Sequence, residues 1–144
     1  VKNDRGQFVL PNQNYIAETA HFYVMICNED ETEWTQAVIA MTSTQLTKAR
    51  KWVSQMKQRR VQNSSGAMVE APMFLFKYRL KTVAEQNDRG SWYGWSIGLE
   101  GQASNKDMIL EGANFLKMIK SGDVQAKNPD ADGAVADTDD SAPF

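Results

Sequence analysis

Lys77, Arg79 and Lys81 occupy alternate positions of one segment, so on an extended strand they share a face at intervals of about 6.6 to 7 Å. That interval is comparable to the spacing of phosphates along an extended single nucleic-acid strand, and cations in such a row can track its backbone. Further on, Trp92 and Ser96 stand beside Gly94 and Gly98, whose missing side chains leave room for a flat group to approach. Unpaired bases expose both faces, so an aromatic ring can stack on any of them, worth ~1 to 3 kcal/mol per base. Tyr23 and Trp34 are further stacking candidates, and Arg59 and Arg60 extend the cationic track. The chemistry these residue types point to is phosphate neutralisation plus base stacking. Each has a plainer alternative: a solvated basic helix and edge strand, and rings packed into a core.

Other chemistries have little to stand on. His21 is the only histidine and Cys27 the only cysteine, so a cysteine-based zinc site, an internal disulfide and a Ser, His, Asp triad all lack their parts. Glu85, Asp88, Glu100, Asp107 and Glu111 could hold magnesium for a nuclease, yet they fall in turns and on a helix start with ordinary solvent-facing explanations. No glycine-rich phosphate loop follows a strand. The expectation is a non-enzyme with no cofactor and no metal.

The elements that must position these residues follow from hydrophobic spacing. Gln7 to Leu10 is a short strand stopped by Pro11, and Tyr15 to Cys27 a longer one with Ala20, Phe22, Val24 and Ile26 on one face. Asn28 to Glu33 is an acidic turn, and Trp34 to Met41 returns as a strand. Thr42, Ser43 and Thr44 offer helix caps. Leu46, Ala49, Val53 and Met56 then recur at helical spacing, with Lys48, Lys51, Gln55 and Arg59 on the opposite, basic side and Trp52 packed at the stripe's edge.

Gln62 to Gly66 reads as a loop. Pro72 to Val83 resumes a period of two, with Phe74, Phe76, Tyr78 and Leu80 on the face opposite the cations. Asn87 to Gly90 makes a turn, and Ser91 to Leu99 pairs back with Tyr93, Trp95, Ile97 and Leu99 inward. Ser104, with Asp107 three residues on, caps a last helix buried through Met108, Gly112, Phe115, Leu116 and Ile119 and ended by Gly122. Three strands, a helix, two strands and a helix is the element order of an OB-fold, a mainly β, five-stranded, partly open barrel whose concave face binds oligonucleotides.

The 144 residues fit one domain, and no run approaches the length of a membrane span. No membrane partner is expected, and the protein reads as intracellular and cytoplasmic. Net charge is −2, but it is segregated: removing residues 123–144 takes away six Asp and one Lys and leaves a body of +3. Between Thr42 and Lys81 nine cations face the single acid Glu70. One basic region faces one acidic tail, the footprint of a polyanion binder that carries its own competitor. The body, 1–122, is therefore read as the binding domain and 123–144 as a disordered acidic tail.

That tail ends Asp137, Thr138, Asp139, Asp140, Ser141, Ala142, Pro143, Phe144. It resembles the acidic C-terminal tip of single-stranded DNA-binding proteins, whose bacterial members usually read Asp-Asp-Asp-Ile-Pro-Phe. The resemblance covers the last eight residues directly, and the body matches no bacterial member closely enough to map motifs, as in a diverged, phage-type version active in the host cytoplasm. It implies an OB-fold, sequence-independent binding and protection of single-stranded DNA, and recruitment of replication, recombination and repair proteins. Asp137, Asp139, Asp140, Pro143 and Phe144 are the partner-binding residues carried over by it. A homo-oligomer is allowed, although the bacterial tetramer is not carried over. Two other classes stay open: an RNA-binding OB module, and a protein-interaction adaptor that never touches nucleic acid.

Overall fold

The computed structural model describes residues 1–125; most of the tail, with Asp137, Asp139, Asp140, Pro143 and Phe144, lies outside the described residues. Alternating apolar and polar positions dominate the body, and they build hairpins. β1 (Phe8–Val9) and β2 (Tyr15–Ile16) form a short one, and β3 (Thr19–Cys27) pairs with β4 (Trp34–Thr42) from Thr19↔Thr42 to Cys27↔Trp34. After a short 3-10 turn comes α1 (Leu46–Lys57). β5 (Arg60–Gln62) and β6 (Met68–Glu70) make a small hairpin, and β7 (Phe76–Asn87) and β8 (Gly90–Gln102) make the longest, followed by α2 (Lys106–Ser121). The chain is mainly β with two helices. Every pairing is antiparallel and closes a two-stranded sheet of its own; among the described residues no ladder joins one hairpin to another, so the sheets are small and unclosed.

What joins the β3–β4 and β7–β8 hairpins is α1. Ala20, Phe22 and Val24 of β3 and Ile39 and Met41 of β4 face it from one side, and Tyr78, Leu80, Trp95 and Ile97 of the long hairpin from the other. Ala49, Trp52 and Met56, on one helical stripe, are buried between. The Phe22 ring stacks on Trp52 with centroids 4.5 Å apart, and Tyr78 meets Trp52 edge-on at 5.7 Å. Such aromatic pairs contribute roughly 0.5–1.5 kcal/mol beyond their buried area. Trp52 Nε1 and Tyr78 Oη are buried there with no hydrogen-bond partner among the described residues, and desolvation pushes the Tyr78 pKa up.

Several details depart from the sequence pattern, each for a local reason. The strand read from Tyr15 to Cys27 breaks at Ala17 and Glu18 into β2 and β3, and the stretch read as a loop after Gln62 is the turn of the β5–β6 hairpin, held by Asn63 Oδ1 accepting from the Ser65 and Ala67 N–H groups. Thr42, Ser43 and Thr44 do not cap α1, because the 3-10 turn Ser43–Gln45 precedes it. Asn105, not Ser104, caps α2, its side chain accepting from the Asp107 and Met108 N–H groups. Ser104 is occupied elsewhere: its Oγ and N–H donate to the Glu31 carboxylate at 2.6 and 2.9 Å.

The acidic turn lies between β3 and β4 as read, and one of its acids, Glu31, is buried. It is only 5 % exposed and sits in the left-handed region at φ 55°, which lets the β3–β4 turn fold onto the start of α2. Tyr93 and Leu99, read as inward, are 78 % and 46 % exposed, because the core ends at Trp95 and Ile97.

Candidate nucleic-acid interface

Cross-strand register decides which side chains of the long hairpin share its outer face. Arg79 lies opposite Gly98, Lys81 opposite Ser96, Val83 opposite Gly94 and Glu85 opposite Trp92. These four pairs form one stripe, opposite to the Leu80 and Ile97 face that packs on α1. At its base a bulge shifts the register between Lys77 and Tyr78 and leaves Glu100 as the extra residue of β8.

The Glu100 carboxylate gathers the predicted cations. Arg79 Nε and Nη2 donate to it at 2.8 and 2.9 Å, and Arg79 also reaches Glu29 at 3.4 Å. The hydrogen bonds from Arg79 lower the Glu100 pKa, helped by the charges of Arg79, Lys77 and Lys81. The same carboxylates raise that of Arg79. Lys77 Nζ lies 3.4 Å from Glu31 Oε2, with its side chain only 24 % exposed. Hydrogen bonds from the Ser104 hydroxyl and N–H, then from the Asn105 N–H, with the Lys77 charge last, bring the Glu31 pKa down to about 2 against the cost of desolvation. Lys81 is exposed and has no ion pair among the described residues. The three stay together, but two are already matched by carboxylates.

Trp92 is half-buried and held: its Nε1–H donates to Glu85 Oε2 at 2.7 Å. Glu85 also accepts from Lys48 Nζ and from Gln45 Nε2, and these bonds, Lys48's foremost, hold its pKa low. Gly94 makes this possible, since a Cβ there would meet the Glu85 carboxylate and the Gln45 amide. The space beside Gly94 is thus filled by Glu85, which is not the solvent-facing acid its turn position implied. Gly98 is different: nothing lies within 4 Å of where its Cβ would be, so the stripe is open between Arg79 and Ser96.

Beside this stripe runs a groove of about 290 Å³ between α1 and the hairpin. Lys48, Lys51 and Gln55 line it from the helix, Val83 and Ser96 from the outer face of the hairpin, and Trp52, Trp95 and Ile97 form its apolar floor. Lys51 carries no ion pair among the described residues. An apolar floor with a cationic rim, with Lys81 across the strands from the lining Ser96, can take a flat apolar ring with an anionic group attached.

The remaining candidates are placed elsewhere. Tyr23 and Trp34 share the face of β3–β4 opposite to the one on α1, and the Tyr23 ring meets Phe115 of α2 edge-on at 6.2 Å. Arg59 donates from Nε to the Gln55 carbonyl at 3.2 Å, at the end of α1, and Arg60 lies exposed on β5 opposite Glu70. The structure therefore brings Lys77, Arg79, Lys81 and Trp92 onto one hairpin and leaves Tyr23, Trp34 and Arg60 off it. Lys48, Lys51, Gln55, Val83 and Ser96 were not singled out as binding residues; the basic side of the helix was visible in its spacing, but its apposition to the hairpin was not.

Among the described residues no helix is long and apolar enough to cross a membrane, and no group of three or more His, Cys, Asp and Glu side chains could hold a metal ion. Residues 1–125 match the model of the family described as Pam3 phage gp34-like protein, and the chain belongs to that family. No curated protein and no solved structure matches it.

Proposed function

We propose that this member of the Pam3 phage gp34-like family is a non-catalytic single-stranded DNA-binding protein working in the host cytoplasm, where it coats unwound DNA during replication, recombination and repair. The observation that carries this is the groove between α1 and β8, where Lys48 and Lys51 rim an apolar floor and the open stripe of Lys81, Ser96 and Gly98 continues from it. A strand laid along the hairpin places phosphates against Lys51 and Lys81 and bases over the floor and toward the anchored Trp92. The element order supports an OB-type arrangement with α1 plugging the space between the hairpins, although the barrel is not closed by hydrogen bonds. The acidic tip, Asp137 to Phe144, recruits partner enzymes.

Tryptophan fluorescence on adding poly(dT) tests the binding. Stacking should quench it, and Trp92→Phe should remove part of the quench while leaving the fold intact. Deleting Asp137 to Phe144 should keep or tighten DNA binding and abolish partner binding. One observation favours a second class: Lys48, Lys77 and Arg79 are already paired with carboxylates, as suits an adaptor with no nucleic-acid ligand. Absence of quenching at low salt would decide for that adaptor.

A further inference from the structure

The long hairpin reaches past the body that α1 holds together. From Thr82 to Ala84 on β7 residues of both faces are exposed, and on β8 Ser91 and Tyr93, which share one face, are exposed as well. Tyr93, in line with the inward Trp95 and Ile97, has no cover. Each strand of a two-stranded sheet has one edge of unpaired N–H and C=O groups, a ready template for another chain.

The two edges of this hairpin differ. On β8 the Trp95 N–H donates to Gln45 Oε1 at 2.9 Å, so the 3-10 turn that leads into α1 occupies that edge. An N–H that points away from the partner strand belongs to a non-hydrogen-bonded pair. Its cross-strand partner Thr82, and by alternation Ala84 and Gln86, therefore turn their N–H and C=O groups to the outer edge of β7. No hydrogen bond reaches those groups among the described residues. The features that protect an edge lie elsewhere: Lys77, Arg79, Lys81 and the bulge are all in the proximal half. Between Thr82 and Gln86 there is no Lys, no Pro and no irregularity, and the one charge, Glu85, is turned toward Lys48.

We propose that the outer edge of β7, from Thr82 to Gln86, pairs with the same edge of a second copy of this chain, joining two hairpins into one four-stranded antiparallel sheet about a two-fold axis. Centred on Ala84, the pairing sets Thr82 against Gln86 and Val83 against Glu85, with no like charges opposed. Centred on Glu85, it would set two carboxylates face to face. The row across the four strands then reads Tyr93, Ala84, Ala84, Tyr93, so that beyond its own Ala84 each ring finds the sheet continued by the Ala84 of the second copy. The contact is self-complementary and closed, as a two-fold interface requires.

Light scattering on the full chain tests this, with a dimer expected that dissociates on dilution. Ala84→Pro removes an N–H that the hairpin's own ladder does not use, so the chain should fold and run as a monomer. Should that proline disturb the strand, Thr82→Glu combined with Gln86→Glu opposes like charges at two places and should give the same monomer. Amide exchange at Thr82, Ala84 and Gln86 should be slow in the dimer and fast in either variant. A wild-type chain that is monomeric at every concentration, or a dimer that the folded variants leave intact, overturns the proposal.

Discussion

Removing Lys51 and Lys81 together should cut the salt dependence of single-stranded DNA binding more than removing any other two cations of the site. Five cations border the groove and stripe: Lys48 and Lys51 on α1, and Lys77, Arg79 and Lys81 on β7. Lys48 is paired with Glu85, Lys77 with Glu31, and Arg79 with Glu100 and Glu29. A cation whose charge is already balanced by a carboxylate gains little from a phosphate unless it first breaks that pair. Among the described residues Lys51 and Lys81 have no such partner, so of these five they should release counterions in full.

Each neutralised phosphate contributes about −0.7 to the slope of log affinity against log salt on single strands, so Lys51 and Lys81 supply about −1.4 and all five at most about −3.5. Lys51→Gln with Lys81→Gln should make the slope shallower by about 1.4, so that a fourfold rise in salt weakens the variant about sevenfold less than the wild type. Fluorescence titrations with poly(dT) at several salt concentrations measure this, with circular dichroism to show that the fold is kept. Lys77→Gln with Arg79→Gln should change the slope less. An unchanged slope in the Lys51 and Lys81 variant, or a larger change from the paired couple, would refute the division into free and balanced cations.

Three further outcomes follow from the geometry. Tyr78→Phe deletes a buried hydroxyl with no partner among the described residues, so thermal unfolding should show a neutral or stabilising effect of up to ~1 kcal/mol, where loss of a bonded hydroxyl would destabilise. Glu31 has its folded pKa lowered from 4.5 to about 2, so the stability it contributes is fully present above pH 4.5 and is lost as pH falls to about 2; Glu31→Gln should flatten that acid limb of the melting-temperature profile. Gly94→Ala should destabilise by ~1 to 3 kcal/mol because its methyl displaces the Glu85 carboxylate, whereas Gly98→Ala, with open space, should stay within ~0.5 kcal/mol in denaturant unfolding while weakening DNA binding.

The parts of this fold that depend on periodicity were legible in the sequence, because a period of two or of 3.6 is a local property. Ala49, Val53 and Met56 marked the side of α1 that faces the core, although Trp52, read at the edge of that stripe, is buried with them and Leu46 is not, and Trp95 and Ile97 marked the inward side of β8. What periodicity cannot carry is where a face stops being covered. Tyr93 continues the pattern of Trp95 and Ile97 two residues on, yet α1 does not reach it, and nothing between Ser91 and Leu99 encodes that limit. Charges were the least legible. Glu31 and Glu85 look like turn acids until the chain brings Ser104 and Lys48 to them from 73 and 37 residues away. Those are tertiary pairings with no trace in local spacing.

The same pairings change what the cationic row means. Counting Lys77, Arg79 and Lys81 along the strand treats charge as a property of residue type, but an ion's attraction for phosphate depends on what already balances it. Glu31 and Glu100 hold Lys77 and Arg79 in place at the root of the hairpin, where the β3–β4 turn and α2 also converge. Glu31 on Lys77 and Glu29 on Arg79 tie the hairpin to the β3–β4 turn, whereas Glu100, on the same hairpin as Arg79, braces its root internally. Lys81, two residues further out and without an ion pair among the described residues, is then presented beside Ser96, and Lys51 faces from α1 the groove that Ser96 lines. Positioning of the two free cations by the balanced ones predicts a split between variants. Glu100→Gln should loosen the hairpin root and lower stability, yet it leaves Arg79 with only the 3.4 Å contact to Glu29 and so more available to a phosphate, and the salt slope should steepen even as the protein melts earlier. A variant that melts earlier with an unchanged slope would mean that Arg79 never faces the strand.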